Sequence, residues 1–304
     1  MAATARRFDL NSSALGCEGP LVTTAWLCAH LGDPRVCVLD VRGRVVPCEA
    51  PGARHLALRG DYAEGHVPGA HFIDWSRHLI ARFWSRDVGE DSYAALRVAL
   101  ARAGVTRDRW IVLYDDTFNL FASRGAWVLR ALGYSGARVL DGGWTQWRAD
   151  GLPTSHEEPA ERWAGLALHD ERLFGADTDD LVRARERGVV IDARLPAAYE
   201  GRVSDVARRG HIPGAINVPY NRLVSGENGR FASGHEVRRT LARAGLEVSR
   251  LPDDLVVYCS TGAMAAAVWL AFESVGVRHA RIYEPTFAAW CADPSRPVVV
   301  GSRP

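Results

Sequence analysis

The side chain best suited to covalent chemistry is Cys259, in the run Val257-Tyr258-Cys259-Ser260-Thr261-Gly262-Ala263-Met264-Ala265. A β-branched apolar run precedes it and an Ala-rich run follows it. The spacing therefore predicts a buried strand, a tight loop that carries the cysteine, and a helix. In cysteine chemistry the nucleophile is the thiolate, and a free thiol ionises near ~8.5, so a working cysteine needs its pKa lowered. The loop offers a means. Ser260, Thr261, Gly262, Ala263, Met264 and Ala265 are small or unbranched apart from Thr261. A curled loop of such residues can turn several backbone N–H groups onto one atom. The helix behind it adds the positive end of its dipole, about 0.3–1 kcal/mol when exposed. Covalent catalysis by an activated thiolate is the expectation.

Other groups read as structural. Cys17, Cys28, Cys37, Cys48 and Cys291 form no C-x-x-C pair, so zinc-ribbon and thioredoxin-type motifs are absent. Cys37 lies inside an apolar strand and belongs to the core. His66 and His211 each sit in a Gly-His-x-Pro-Gly-Ala turn. Only one half of the chain has a candidate nucleophile, so both are expected to be turn histidines bonded to backbone. His66 and His71 lack a third ligand, and neither metal nor cofactor is expected. Asp40/Arg42 and Asp192/Arg194 read as duplicated ion pairs that tie a strand end to a loop, and the 10 Trp as packing.

These residues need elements to hold them, and the elements repeat. Val36–Arg42 and Val189–Arg194 are short apolar runs ending in Asp-x-Arg. The Gly-His turns follow, then Ile111–Asp115 and Leu255–Cys259, each running into a small-residue loop and an apolar helix. The spacing is about 145 residues, too long for a solenoid and right for a duplicated domain. Helices over Ser92–Ala103 and His235–Ala244 end at Ala-Gly stops. The expected fold class is α/β, two tandem domains each with a mainly parallel sheet flanked by helices. The expected domains are 1–155 and 171–304, joined by 156–170. From Leu255 to Phe272 no residue is charged. That is long enough for a membrane span, but Cys-Ser-Thr-Gly interrupts it, so strand, loop and helix is the reading.

Composition narrows function further. The 304 residues balance 37 basic against 36 acidic residues for a net charge of +1, so no nucleic acid partner is expected. All the basic residues are arginine, which excludes a P-loop NTPase and lysine Schiff-base chemistry. Arg6 and Arg7 run into Phe8-Asp9-Leu10-Asn11 rather than an apolar leader. Reduced thiols, a cytoplasmic location and no membrane association are expected.

Two Gly-His-[Val/Ile]-Pro-Gly-Ala turns, two Asp-x-Arg strand ends and the Cys259 loop together resemble the tandem-domain rhodanese family. Leu21–Leu27 at the start fits it, as does Leu140-Asp141-Gly142-Gly143-Trp144-Thr145-Gln146-Trp147 at the close of the first half. The resemblance runs from about Leu21 to Trp290. It implies thiosulfate or 3-mercaptopyruvate sulfurtransferase activity through a Cys259 persulfide. The partners implied are a small anionic donor and a thiophilic acceptor such as a thiol or a protein dithiol. It also implies a silent first domain, because Asp115 stands where the second has Cys259, and a carboxylate cannot accept a sulfane sulfur. Phosphatases of this fold need Cys-x5-Arg, and the sixth residue after Cys259 is Ala265.

The loop is neutral and hydroxyl-bearing, closer to the mercaptopyruvate type than to the basic loop of the thiosulfate type. Ala198 replaces a usual arginine before Tyr199. The family's matching loop carries an anion-binding arginine, so the segment between Tyr199 and Gly210 suggests Arg208 first and Arg202 second as donor-binding residues, beside Tyr199; Arg194, at the strand end before that segment, comes last because its partner Asp192 is duplicated in the first half. Three further positions depart from the family. His78 stands at an altered spacing, Gly43 lies near where a tryptophan is usual, and Glu284-Pro285-Thr286 replaces a closing Asp-Gly-Ser/Gly. The alternatives left open are a specialised enzyme in biosynthesis of a sulfur-containing metabolite, and a non-catalytic rhodanese-like binding protein.

Overall fold

The computed structural model describes residues 19–47, 53–79, 91–165, 174–204, 206, 208–224 and 228–304. Cys17 and Cys48 lie outside them. The first half runs β1 (Leu21–Val22), α1 (Thr24–Ala29), β2 (Val36–Asp40), β3 (Gly43–Pro47), β4 (Ala53–Ala57), α2 (Arg59–Glu64), β5 (Ala70–Phe72), α3 (Trp75–His78), α4 (Asp91–Arg102), β6 (Trp110–Tyr114), α5 (Leu120–Ala131), β7 (Ala137–Leu140) and α6 (Gly143–Ala149). The second half runs β8 (Gly175–Ala176), α7 (Thr178–Arg187), β9 (Val189–Asp192), α8 (Pro196–Tyr199), β10 (Ile216–Asn217), α9 (Gly234–Arg243), β11 (Leu255–Tyr258), α10 (Ala263–Ser274), β12 (Arg281–Tyr283) and α11 (Thr286–Ala292).

Each half builds one five-stranded parallel sheet. The orders are β1-β7-β6-β2-β5 and, in reverse direction, β8-β12-β11-β9-β10, so equivalent strands take equivalent places. The central strands are buried along their full length. This is why they read as continuous apolar runs rather than alternating ones. The uncharged stretch from Leu255 resolves into β11, the cysteine loop and α10. Among the described residues no helix is long and apolar enough to cross a membrane. The helix stops hold as read. After α4 and α9 the chain closes back with Val105 N–H on Leu100 O and Leu246 N–H on Leu241 O. Capping boxes at Asp177/Asp180 and Ser233/Glu236 start α7 and α9. β3 and β4 form an antiparallel ribbon that, among the described residues, only the first half carries. Gly43 opens it because a β-carbon there would collide with Trp75 Nε1 and Leu56 O.

One hydrophobic core continues through both halves, with α5 and α10 packed together at its centre. Alanines at 122, 126, 266, 267 and 271 lie in that shared core. Polar ties cross the same boundary: Arg130 pairs with Glu273, and Trp127 Nε1 donates to Phe174 O at 3.3 Å. Trp75, Trp127, Trp147 and Trp290 are fully buried, whereas Trp163 is 62% exposed and does no packing of that kind.

The duplicated Asp-x-Arg motif is a buried tie in each half. Arg194 donates to both Asp192 oxygens and, through Nη2, to Gly210 O at 2.8 Å. Arg42 does the same with Asp40 and Gly65 O at 2.7 Å. Breaking a buried pair by neutralising one partner costs about 3–5 kcal/mol. Asp192→Asn should lose that much in urea denaturation; a loss under about 1 kcal/mol would mean the tie holds little.

Candidate active site

Cys259 is the first residue after β11. Two strands beside it set the position. Tyr258, the residue before it, is held at its hydroxyl by Ile212 N–H at 3.1 Å and lies beneath the Arg194 guanidinium. Behind it, Phe287 N–H donates to Cys259 O at 3.0 Å, and Arg194 stacks on the Phe287 ring at 3.9 Å. The thiol is 1% exposed. Its Sγ accepts from Gly262 N–H at 3.1 Å and Ala265 N–H at 3.4 Å. Gly262, at φ +86°, turns the loop into α10. The curled N–H cradle expected from the small residues is therefore present.

Its electrostatic outcome differs from expectation. Burial pushes the Cys259 thiol up from its ordinary value, and the N–H groups of Ala265, Thr261 and Gly262 pull it back only in part. The sulfur is buried, and desolvation of a thiolate outweighs the donors that solvate it.

The first half shows what the same cradle does with an oxygen anion. Asp115 Oδ1 accepts from Thr117 and Asn119 N–H, and Oδ2 from Phe121 and Ala122 N–H, all at 2.7–3.0 Å. The protein's own carboxylate fills the nest, and burial raises its pKa to about 6. The second half covers this loop. Asn119 Nδ2 donates to Gly229 O, Asn228 Nδ2 to Gln146 Oε1, and Phe231 N–H to Asp141 Oδ1.

The residues after β12 carry a further departure. Gly143 in the first half has φ +54°, and a β-carbon there would stand 2.1 Å from Asp115 O. The equivalent residue is Thr286, at φ +66°. A β-branched residue in the left-handed region is strained by about 1–3 kcal/mol. That strain sits one peptide from the N–H that holds Cys259 O.

The donor-binding residues expected from the sequence are not brought to the cysteine. Arg208 Nη1 donates to Asp293 O, just past the far end of α11, while Phe287 at the near end meets Cys259. Seven helical residues put about 10 Å between those ends. Arg202 pairs with Glu200 and is 63% exposed. Arg194 is consumed by Asp192 and Gly210 O. Tyr199 donates to Ala215 O and stacks on His211. The loop runs elsewhere because it packs on the C-terminal tail: Gly301 N–H donates to Glu200 O, and Gly201 lies against Val300. Arg44, on the silent side, is held by Asp116 and Thr117. The histidines are turn residues as read. His66 faces Tyr62 O and Glu157 O, and His211 faces Tyr199 O and Arg303 O. Cys37 donates to Ala103 O and is pushed up to about 12 by burial.

Among the described residues, a cation that does reach the loop comes from the other half. Arg124 of α5 lies against Gly262, where a β-carbon would stand 2.9 Å from its Nη1. Its Nε donates to Leu79 O at 2.9 Å, and its guanidinium pairs with Glu284 across the domain boundary. Both side chains are 3% exposed. The signal that could have found it is an arginine within the apolar helix Leu-Phe-Ala-Ser-Arg-Gly-Ala-Trp. A charge buried there demands a distant partner.

Comparison with known proteins follows the same lines. The rhodanese-like domain family matches twice, at residues 23–150 and 177–293. The chain is 30% identical to the 3-mercaptopyruvate sulfurtransferase of Escherichia coli strain K12, over 90% of this chain and 95% of that one. It is also 30% identical to the sulfur carrier protein TtuD of Thermus thermophilus, over 89% and 93%. The crystal structure of SseA from Escherichia coli, described as a 3-mercaptopyruvate sulfotransferase, superposes with a TM-score of 0.72 at 26% identity. The match covers 89% of this chain and 99% of that one.

The silent cradle makes a prediction in pH. A folded carboxyl raised from 3.8 to about 6 binds more protons than the unfolded one between those values. Stability therefore falls as pH rises from about 4 to 6, by about 3 kcal/mol at most. The difference in urea stability between wild type and Asp115→Asn should shift against wild type over that window, and turnover at neutral pH should stay within a few-fold. A flat difference would show that the Asp115 pKa is unshifted. A collapse of turnover in a folded variant would give the first half a part in the chemistry.

Proposed function

This chain belongs to the rhodanese-like domain family, in two copies, and on that premise we propose that it is a sulfurtransferase working through a persulfide on Cys259. The Cys259 thiolate attacks the transferable sulfur of a small anionic donor. With mercaptopyruvate the carbon–sulfur bond breaks, pyruvate leaves as its enolate and takes a proton, and Cys259 keeps the sulfur as a persulfide anion. An acceptor thiolate then attacks the outer sulfur, carries it off as its own persulfide and returns the Cys259 thiolate. One observation carries the reading most: two N–H groups converge on Cys259 Sγ in the cradle whose twin holds a carboxylate. Such a nest stabilises charge on sulfur without moving in the reaction.

The donor is a single-carboxylate, mercaptopyruvate-like molecule rather than thiosulfate. Ser260 and Thr261 are neutral, and a dianion loses more than a monoanion where charged donors are few. The donor's anion falls to Arg124, a cation that touches the loop; Arg208 and Arg202 are committed to Asp293 O and Glu200. On this reading residues 1–155 form the silent domain and 171–304 the catalytic one, joined by 156–170. The compartment is a reducing one such as the cytoplasm, in keeping with free thiols at Cys28, Cys37, Cys259 and Cys291.

Intact-mass analysis after incubation with mercaptopyruvate should show one added sulfur, absent from Cys259→Ser. A folded Cys259→Ser that still loads or turns over would sink the mechanism, and a wild type that never loads would favour a binding protein. kcat/KM should be higher for mercaptopyruvate than for thiosulfate; the reverse order would return the donor to the thiosulfate class. Arg208→Ala and Arg202→Ala should leave donor KM within about twofold, since both charges are engaged away from Cys259, on Asp293 O and Glu200. A rise of about tenfold or more in either would restore the Tyr199–Gly210 loop as the anion site.

A further inference from the structure

Glu284 is unexplained by the sulfur chemistry. Its counterpart in the first half, Asp141, stands at the same place after the strand and accepts a backbone N–H from Phe231. Glu284 is one methylene longer, and its carboxylate crosses the domain boundary to Arg124. The guanidinium uses Nη1 and Nη2 on the two Glu284 oxygens and Nε on Leu79 O. A forked carboxylate on those two nitrogens is the geometry that a donor carboxylate would itself adopt. Arg124 also lies against Gly262, whose N–H is on Cys259 Sγ. The pair therefore closes the boundary beside the nucleophile.

Resting on the sulfurtransferase reading, we propose that Glu284 is a built-in occupant of the donor's anion seat on Arg124. An incoming anion has to displace it to reach Cys259, so Glu284 sets how strongly the enzyme binds anionic donors and how readily anions enter. The first half supports the logic with a separate observation: there too a carboxylate of the chain, Asp115, occupies a place built for an anion. Glu284 acts through Arg124 and touches no reacting atom, which makes it a positioning residue.

The test compares two alkylating probes of the same thiol, one anionic and one neutral, and does not depend on turnover. Rate constants for Cys259 with iodoacetate and iodoacetamide are measured by peptide mass spectrometry at low salt. Their ratio cancels changes in thiolate content and in general access. In Glu284→Gln the iodoacetate-to-iodoacetamide ratio should rise about tenfold, the scale of one charge-assisted hydrogen bond returned to the incoming anion. Mercaptopyruvate KM should fall by a similar factor, with kcat within a few-fold. Should loss of the buried charge prevent folding, Glu284→Asp retains it on a shorter arm, as the first half does at Asp141. It should move both readouts the same way by about threefold. A ratio unchanged from wild type in a folded variant overturns the proposal even if Cys259 loads sulfur normally. A raised ratio in a protein that never loads sulfur upholds the anion seat and overturns the sulfurtransferase reading instead.

Discussion

The structure depends on a buried carboxylate–guanidinium pair at the carboxyl edge of each sheet. Asp192 and Arg194 are two residues apart, too close to be a long-range staple by themselves. Their reach comes from what they hold second. Arg194 takes the carbonyl of Gly210 and the ring face of Phe287, and the Gly-His turn that follows Gly210 puts Ile212 N–H on the Tyr258 hydroxyl. One pair thereby ties β9, β11, the Gly-His turn and α11 around the peptide that bears Cys259. Unpaired charges here would be prohibitive to bury, so the geometry that satisfies them is the one that forms.

Duplication makes the frame testable against itself. Asp40, Arg42, Gly65, Tyr114 and Val67 repeat the arrangement, with Tyr114 donating to Asp40 and Val67 N–H to Tyr114. What differs is the atom delivered into the cradle. In one half a carboxylate accepts four N–H groups and leaves no room for an incoming anion. In the other a single sulfur accepts two, and it is polarisable and nucleophilic. Equivalent strand–loop–helix elements thus present a carboxylate in one half and a thiol in the other, on loops that differ by one residue in length.

Both halves are closed by their partner. The segment from Asn228 to Phe231 docks on the Asp115 loop, and Arg124 reaches the Cys259 loop. The shared core around α5 and α10 makes this boundary part of the fold rather than a surface between independent bodies. Closure explains why the Cys259 thiol is pushed up despite its donors: water is excluded more thoroughly than the cradle can replace it.

Chemistry set by neighbours in the chain was legible from the residues alone. The duplication, the strand-loop-helix around Cys259, the Asp-x-Arg pairs, the turn histidines and the N–H cradle all follow from local pattern, because strands, turns and nests are built from consecutive residues. The anion seat proposed on Arg124 was not legible. Arg208 and Arg202 were read from the loop that precedes the Gly-His turn, but that loop packs on the tail near Val300, and nothing in its own sequence announces the tail as its partner. Arg124 and Glu284 lie 160 residues apart. Only the docking of two domains brings them together over Gly262, and a buried arginine takes whichever distant carboxylate the tertiary fold sets within reach.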